Sequence, residues 1–281
     1  MPLVSSKELL QDAKNNHYAI PAFNVENIEM AQACVEAAEE LLSPIILATT
    51  ESTDRFIPMD LFSGFITPLA NNSKIPIALH LDHSKTNELV LKAIKAGYTS
   101  VMIDASKKSY SENIALTKEI KYICNIFKIP VESELGVIIG KKSDGEQTVS
   151  LTNPETVDDF VNKTNVDSLA ISIGNKHGLY TNKSNLDFNR LKDIRKVTDI
   201  PLVLHGASGI PDKDIIKCVK LGINKCNFAT DLRVSYSNTL KQELNKPETS
   251  IDPREYLSIV KNNVKSICIK KIKLLGSEAR A

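Results

Sequence analysis

Residues 201–230 read PLVLHGASGIPDKDIIKCVKLGINKCNFAT. This stretch begins with a short apolar segment at 201–205 that predicts a β-strand, and a second predicted strand follows at 224–227. Between them, Pro211 and Asp212 open a segment with apolar residues at helical spacing, which ends near Gly222. A strand, a helix and another strand in this order predict a parallel βαβ unit.

The same alternation extends through most of the chain. Strands are predicted at residues 19–24, 44–49, 75–82, 100–104, 129–134, 168–173, 201–205 and 224–227. A helix is predicted from residue 27 or 28 to 42, and an amphipathic helix from about 253 to 275. Because right-handed crossovers place the loops after each strand on one face, eight such units close into a barrel. We therefore predict an α/β fold, a single (β/α)8 TIM barrel with an additional C-terminal helix. Periodicity alone leaves an open, doubly wound sheet as the alternative.

Length and composition agree with one globular domain. A (β/α)8 barrel of roughly 250 residues folds as one unit, so residues 1–281 are predicted to form a single catalytic domain. A net charge of +1 supplies no long-range field that would attract nucleic acid or an anionic membrane surface. No long apolar run predicts a membrane span, and we expect a cytoplasmic protein with small-molecule partners. Five scattered cysteines without a Cys-x-x-Cys pair are expected to be buried, free thiols.

Ionisable side chains stand at the ends of several predicted strands. They are Asp82, His83, Asp104, Glu134 and His205, while Asn227 ends the last strand and His177 follows the sixth. Because barrel enzymes keep their catalytic groups at the carboxyl ends of the strands, we expect these side chains to converge. Three histidines with an open fourth position are typical of a catalytic zinc site. The pattern predicts zinc at His83, His177 and His205, a supporting or structural role for His80, and a surface position for His17.

Glycine-rich turns follow the last three predicted strands. Residues 174–178 read GNKHG, residues 205–209 read HGASG and residues 227–230 read NFAT. Small residues let backbone amides approach an anion closely, and a helix that starts near Thr230 points its positive end at the same place. The turns therefore predict a phosphate site of the kind that loops after the last barrel strands form.

Six ordered motifs connect these observations. They read ALHLDH at 78–83, SVMID at 100–104, VESELG at 131–136, IGNKHG at 173–178, LVLHGASG at 202–209 and NFATD at 227–231. In this order they resemble the motifs of class II fructose-bisphosphate and tagatose-bisphosphate aldolases. The segments YAIPAFN at 18–24 and LGS at 275–277 also resemble that family, so the resemblance covers nearly the whole chain.

The resemblance implies a function and a role for individual residues. It implies reversible cleavage of a ketose 1,6-bisphosphate, tagatose or fructose 1,6-bisphosphate, into dihydroxyacetone phosphate and glyceraldehyde 3-phosphate. It implies zinc on His83, His177 and His205, with Asp104 and Glu134 at an alternative or second metal position, and Asp82 as the catalytic acid/base. The residues implied to bind substrate are Gly178, Gly206, Ala207, Ser208, Asn227, Phe228, Ala229, Thr230 and, at the distal phosphate, Arg233. A monovalent cation near the phosphate site and a homodimer or homotetramer are also expected.

The chain departs from the family pattern at a few positions. The loop at 136–150 reads KKSDGE at 141–146, where the family usually has an acidic pair that moves a proton of dihydroxyacetone phosphate. Asp144 or Glu146 is the candidate replacement, and a solvated loop charge is the alternative. Ala229 resembles tagatose-bisphosphate aldolases, since fructose-bisphosphate aldolases commonly carry Asp there. Thr181 stands where a phosphate-binding lysine is often found, and Lys183 follows it.

Three other functions remain open at this point. The chain could be an aldolase for another phosphorylated ketose. Three histidines beside a carboxylate could instead activate water in a metal-dependent hydrolase. The altered loop is also compatible with a noncatalytic sugar-phosphate binder. The predicted phosphate site argues against the hydrolase, and Asp82 with the complete histidine set argues against the binder.

Overall fold

The computed structural model describes residues 3–138, 150–178, 185–248 and 250–281. Eight parallel strands pair in sequential order, and the last pairs with the first, so the sheet closes into a barrel. This confirms the predicted (β/α)8 fold and excludes the open sheet. The strands are β1 Ile20–Asn24, β2 Ile45–Thr50, β3 Ile77–Ser84, β4 Ser100–Ile103, β5 Val131–Leu135, β6 Ser168–Ile171, β7 Leu202–Leu204 and β8 Ile223–Phe228.

Two strand boundaries differ from the prediction in ways that affect the ligands. β3 was predicted at 75–82 but spans Ile77–Ser84, because Pro76 has no N–H for the ladder and pairing with β4 continues to Ser84. β6 was predicted at 168–173 but ends at Ile171, two residues earlier. Asp82 and His83 therefore lie inside a strand, whereas His177 lies in a turn well beyond its strand.

The strands alternate with helices that surround the barrel. The described helices are α1 Ser6–Asn15, α2 Ile28–Glu40, α3 Glu51–Phe56, α4 Met59–Asn72, α5 Asn87–Lys95, α6 Tyr110–Ile126, α7 Pro154–Thr164, α8 Phe188–Val197, α9 Asp212–Lys220, α10 Thr230–Leu244 and α11 Pro253–Leu275. Most of the apolar core lies between the strands and these helices. Two helices, α3 and α4, follow β2, where the prediction expected a single helix per unit.

The C-terminal helix α11 begins and ends where it was predicted. Pro253 occupies its first turn, and Gly276 ends it in the left-handed conformation, with φ 69°. The helix packs on α2 and α10 and buries Val260 and Val264, so the apolar face of this predicted amphipathic helix packs against the barrel. No helix in the described ranges is long and apolar enough to cross a membrane.

The barrel interior changes from apolar to polar along its axis. Near the amino ends of the strands, Ile20, Ala22, Ile46 and Ala78 form a buried cluster. Further along, Met102, Ala170 and Val203 pack together, but the fully buried His80, Glu132 and Lys225 are polar. These three residues precede Asp82, Glu134 and Asn227, respectively, by two positions. Because side chains alternate between the two faces of a strand, each lies on the same face as its partner. This placement of His80, beneath the strand ends, is consistent with its predicted supporting or structural role.

The five cysteines are all buried and free, as predicted. His17 is exposed, which confirms its predicted surface position.

Candidate active site

A bulge in β3 brings two consecutive polar residues to the same cavity. Asp82 faces the barrel interior by strand alternation, so its neighbour His83 would ordinarily face the helices. The β3–β4 register shifts between Leu81 and Ser84, and His83 adopts a left-handed φ of 51°. A bulge of this kind re-aims a side chain, and both Asp82 and His83 line the cavity.

The three predicted histidine ligands meet at this cavity. The ring centroid of His83 lies 5.0 Å from that of His177 and 4.5 Å from that of His205. One nitrogen of each ring lies within 4.8 Å of the others, close enough to share a metal ion. Strand β3, the end of β7 and the turn after β6 thus bring together three residues that are spread along the sequence from position 83 to position 205.

Asp104 and Glu134 form a second cluster with the same histidine. Asp104 Oδ2 lies 2.9 Å from His83 Nδ1, and its Oδ1 accepts from the backbone N–H and hydroxyl of Ser106 at 3.1 and 2.7 Å. The ligand atoms of His83, Asp104 and Glu134 lie within 4.8 Å of one another. Because both clusters include His83, they are two adjacent candidate positions for a divalent ion.

The charges around the clusters favour a cation between them. Burial alone lowers the pKa of His83, but the carboxylates of Asp82 and Asp104 outweigh it and raise that pKa to about 10. Burial and the charge of His83 lower the pKa of His177 to about 3 and hold that of His205 below its ordinary value. Burial and the charge of Asp104 raise the pKa of Glu134 well above its ordinary range. The carboxylates therefore favour positive charge at His83 in the metal-free site. A bound ion would take the place of the proton on His83, because a histidine binds metal in its neutral form.

Unsatisfied polar atoms show that the cluster fits a divalent ion. Asp82 Oδ1 and Glu134 Oε2 are buried and lack a hydrogen-bond partner. Buried oxygens without partners are costly unless a ligand, an ion or water satisfies them. Imidazole nitrogens and carboxylate oxygens are the donors that Zn²⁺ accepts in catalytic sites.

Asp82 is held by two amides while one oxygen remains available. Asn24 donates to Asp82 Oδ2 at 2.7 Å, and Asn227 donates to the same oxygen at 3.4 Å. Burial alone raises the pKa of Asp82, but the nearby basic groups, His83 first, outweigh it and hold that pKa below its ordinary value. The carboxylate is therefore ionised, and its free Oδ1 lies 3.8 Å from His205 Nδ1.

The side-chain amide of Asn175 and the close packing of Gly206 hold the turns after β6 and β7 together. Asn175 accepts from the N–H of Ile173 and donates to the carbonyl of His205, both at 2.9 Å. Gly206 has a φ of 65°, and a Cβ at this position would lie 2.2 Å from the carbonyl oxygen of Lys176. The contact requires glycine, and it fixes the turn that carries His177.

Replacing Gly206 with Ala is expected to move His177 and weaken metal binding. The left-handed φ alone should cost about 1–3 kcal/mol in the free energy of unfolding, and the clash with Lys176 must also be relieved. The zinc affinity and the temperature of thermal unfolding should therefore both fall. Gly64→Ala is the matched control, since nothing lies within 4 Å of its added Cβ and it is exposed in α4. That variant should gain roughly 0.5–1 kcal/mol from helix propensity and keep its zinc affinity. Unchanged zinc affinity in Gly206→Ala would show that Gly206 does not fix the position of His177.

The N-terminus of α10 faces the same cavity. Ala229 precedes the helix and makes no side-chain cap hydrogen bond, so the N–H of Thr230 and the positive end of the helix are open to an anion. Ser208 Oγ accepts from the backbone N–H of Asp231 at 3.2 Å, which joins the turn after β7 to this helix. The two turns and the helix start have the features of a phosphate site.

The cavity has a volume of about 290 Å³. Most predicted site residues line it, namely Asp82, His83, His177, Gly178, His205, Gly206, Ser208, Asn227, Ala229, Thr230 and Arg233. Ala207 and Phe228 are fully buried in the core and do not line the cavity, and their substrate contacts stay a prediction. The described lining contains no lysine. Asp144, Glu146, Thr181 and Lys183 lie outside the described residues.

Sequence reasoning missed three lining residues. Asn24, Thr50 and Ser52 also face the cavity. Asn24 and Thr50 are the last residues of β1 and β2, so the rule that selected the other strand ends would have found them. Ser52 lies in α3 and gives no comparable signal. Glu132 and Lys225, directly beneath the histidines, were also missed, although strand alternation places them on the interior face.

An arginine that lines the cavity forms an ion pair with a glutamate. Arg233 Nε donates to Glu26 Oε1 at 2.8 Å, and its Nη2 also contacts that oxygen. Thr53 donates to Glu26 Oε2 at 3.2 Å. The guanidinium group lines the cavity while its charge is partly balanced by Glu26.

Known proteins match this chain over nearly its whole length. The family described as fructose-bisphosphate aldolase class-II matches residues 4–280. The YdjI aldolase from Escherichia coli K12 is 35% identical, with a TM-score of 0.89 and 99% of each chain covered. A putative fructose-1,6-biphosphate aldolase from Coccidioides immitis is 29% identical, with a TM-score of 0.87 and coverage of 97% of this chain and 96% of that one. Fructose-bisphosphate aldolase from Campylobacter jejuni is 24% identical, with a TM-score of 0.84 and coverage of 100% and 97%; this last likeness shows the fold alone.

Proposed function

Because the chain belongs to the class II fructose-bisphosphate aldolase family, we propose that it reversibly cleaves a ketose 1,6-bisphosphate into dihydroxyacetone phosphate and glyceraldehyde 3-phosphate, with Zn²⁺ as its cofactor. Family membership makes the chain an aldolase. The substrate, the metal and the role of each residue are proposals. The observation that carries them is the meeting of three imidazoles beside the free carboxylate oxygen of Asp82 in one cavity.

His83, His177 and His205 would hold the ion, with Asp104 and Glu134 at the adjacent position. A bound divalent ion would act as a Lewis acid toward the negative charge that cleavage leaves on the three-carbon product. The protein contributes fixed ligand positions: Asp104 orients His83 through its Nδ1, and Asn175 fixes the end of β7 that carries His205. A ligand whose other nitrogen is hydrogen-bonded keeps one tautomer and one ring orientation.

Asp82 would move the proton at the sugar's C4 hydroxyl. Its ionised carboxylate would accept that proton as the C3–C4 bond breaks and return it during condensation. The amides of Asn24 and Asn227 hold Oδ2, so Oδ1 is the oxygen left to face the hydroxyl. Such a general base contributes typically about 10²–10⁴-fold in rate.

The turns after β6 to β8 would bind the dihydroxyacetone phosphate portion. The positive end of α10 and the backbone near Gly178, Gly206 and Ser208 provide N–H donors without bulky side chains at this end of the cavity. Arg233 would contact the distal phosphate. Holding both ends places the reacting carbons beside Asp82, which lowers the entropic part of the barrier. A monovalent cation near this phosphate site stays a prediction.

Ala229 is proposed to favour the tagatose configuration at C4. Its methyl group lines the cavity beside Asn227 and Arg233 and offers no hydrogen bond to a sugar hydroxyl. We expect Ala229→Asp to shift kcat/KM toward fructose 1,6-bisphosphate by roughly 10-fold, the effect of about one hydrogen bond. The check is kcat/KM for both epimers side by side, in the wild type and in the variant.

Ala229→Ser is the matched control for that comparison, because it adds a small polar group without a charge. A smaller shift in the same direction is expected. If Ala229→Asp leaves the preference between the epimers untouched, Ala229 does not determine specificity.

A second candidate is an aldolase that acts on another phosphorylated ketose. The pairing of Arg233 with Glu26 favours it, since Glu26 places a negative charge beside the proposed distal phosphate. Comparing kcat/KM for a ketose 1-phosphate and the corresponding 1,6-bisphosphate decides between the two. A preference for the monophosphate would replace the bisphosphate proposal.

The single catalytic domain, the cytoplasmic location and the homodimer or homotetramer remain predictions. Light scattering on the purified protein would determine the oligomeric state.

A further inference from the structure

We propose that Glu132 and Lys225 are positioning residues that hold His205 in the tautomer with its proton on Nε2, so that Nδ1 is presented to the metal. This inference rests on the proposed metal site. Neither residue lines the cavity, and both lie inside the barrel beneath it.

The contacts form a continuous chain. Glu132 Oε1 lies 2.8 Å from His205 Nε2, and Glu132 Oε2 accepts from Lys225 Nζ at 2.7 Å. The side chains of all three residues are at most 2% exposed. Such isolation from water makes each contact strong and makes the loss of one partner costly.

The first contact determines which nitrogen is protonated. Glu132 forms a buried ion pair with Lys225 through Oε2, which keeps the group as a carboxylate. An ionised carboxylate only accepts hydrogen bonds, so Nε2 must carry the proton. The lone pair of the neutral ring then lies on Nδ1, which is 3.8 Å from Asp82 Oδ1.

Lys225 balances the charge and is itself fixed from a second side. Its Nζ lies 3.4 Å from His80 Nε2, and His80 Nδ1 lies 2.7 Å from Ser100 Oγ. Ser6 of α1 donates to that same hydroxyl at 2.7 Å. The chain of contacts therefore runs from the amino end of the barrel to the metal site.

Barrel interiors are ordinarily filled with bulky apolar residues, and a buried ion pair is seldom needed for stability. Replacing the pair with apolar residues of similar size should therefore leave a folded protein. The same replacement removes the acceptor for His205 Nε2. Fold stability and ligand orientation can thus be separated experimentally.

The test compares Glu132→Met/Lys225→Met with Glu132→Gln/Lys225→Met. Both variants remove the buried charges, but glutamine keeps an acceptor that can face Nε2. Zinc affinity is measured by competition with a chelator, and the His205 tautomer by nitrogen NMR of the metal-free protein. Lys121→Met/Asp167→Asn is the matched control, because it removes another buried ion pair remote from the cavity.

We expect the Met/Met variant to bind zinc about 10–100-fold more weakly and to lose the uniform Nε2–H tautomer. The Gln/Met variant should recover part of the affinity, and the control should bind zinc as the wild type does. If the Met/Met variant binds zinc as tightly as the wild type and with the same tautomer, the pair does not position His205. Equal losses in the Met/Met variant and the control would also overturn the proposal.

These outcomes are separate from those for the proposed function. A zinc-loaded wild type that cleaves no ketose phosphate would refute the proposed substrate class, while the order of zinc affinities would still test the positioning pair. Normal cleavage combined with unchanged zinc affinity in the Met/Met variant would refute the positioning pair alone.

Discussion

Replacing Asp82 with Asn is expected to lower kcat for aldol cleavage by about 10²–10⁴-fold, the usual contribution of a general acid/base. Asparagine has nearly the same shape and can still accept from Asn24 and Asn227, but it cannot take a proton from the C4 hydroxyl. KM and zinc content should change little, because Asp82 is not one of the proposed ligands. Steady-state kinetics in both directions, with metal content measured on the same sample, checks this expectation.

Asn24→Ala is the matched control for Asp82. It removes one hydrogen bond to Oδ2 while leaving the carboxylate, so the loss in kcat should be smaller than that of Asp82→Asn. An Asp82→Asn variant with kcat within twofold of the wild type would assign the proton transfer to another residue. A large loss of zinc from that variant would show that Asp82 acts on the metal instead.

Removing the divalent ion is expected to abolish aldol cleavage. Stabilisation of developing charge by a metal contributes several kcal/mol, which corresponds to at least about a thousandfold in rate. Activity should return on addition of zinc to the chelated protein. Borohydride in the presence of dihydroxyacetone phosphate should trap no lysine adduct, since the described cavity lining contains no lysine and Lys225 is buried against Glu132.

His177→Ala and His17→Ala provide the paired variants for this experiment. His177 is a proposed ligand, so its loss should remove zinc and activity together. His17 is exposed, and its loss should change neither. Full activity after complete metal removal, or inactivation by borohydride, would contradict the metal-dependent mechanism.

The fold could be predicted because short stretches of sequence are enough to indicate where each strand and helix begins and ends. β-branched runs, helix-opening residues such as Pro211 and Asp212, and Gly276 after the last helix are all short-range signals. The end of β3 is different, because its bulge depends on pairing with β4. No local pattern in residues 77–84 shows that Asp82 and His83 face the same cavity.

The histidine cluster could also be predicted, since barrel closure brings the carboxyl ends of strands together. The sequence did not indicate the electrostatic arrangement around it. The raised pKa of His83 arises from Asp82 and Asp104, and Asp104 directly follows another strand, β4. Glu132 and Lys225 were missed for a related reason: a charged residue inside a strand looks solvent-exposed until the barrel closes around it.

Substrate specificity is less accessible to sequence reasoning than the reaction class. The proposed specificity depends on a single methyl at Ala229 and on one ion pair, Arg233 with Glu26. Each depends on where the sugar lies, which a motif does not specify. The chemistry of breaking a given bond requires fixed residue types, so motifs indicate the reaction class. The preference between epimers depends on single contacts, which motifs do not specify.

The most direct test of the metal site is a crystal structure of the zinc-loaded protein with anomalous scattering data at the zinc edge. We expect one strong peak bounded by nitrogens of His83, His177 and His205, at about 2.0–2.1 Å from each. His205 should bind through Nδ1 with its Nε2 still on Glu132. A zinc peak away from these rings, or rings too far apart to share one ion in the loaded protein, would contradict the metal site and the mechanism built on it.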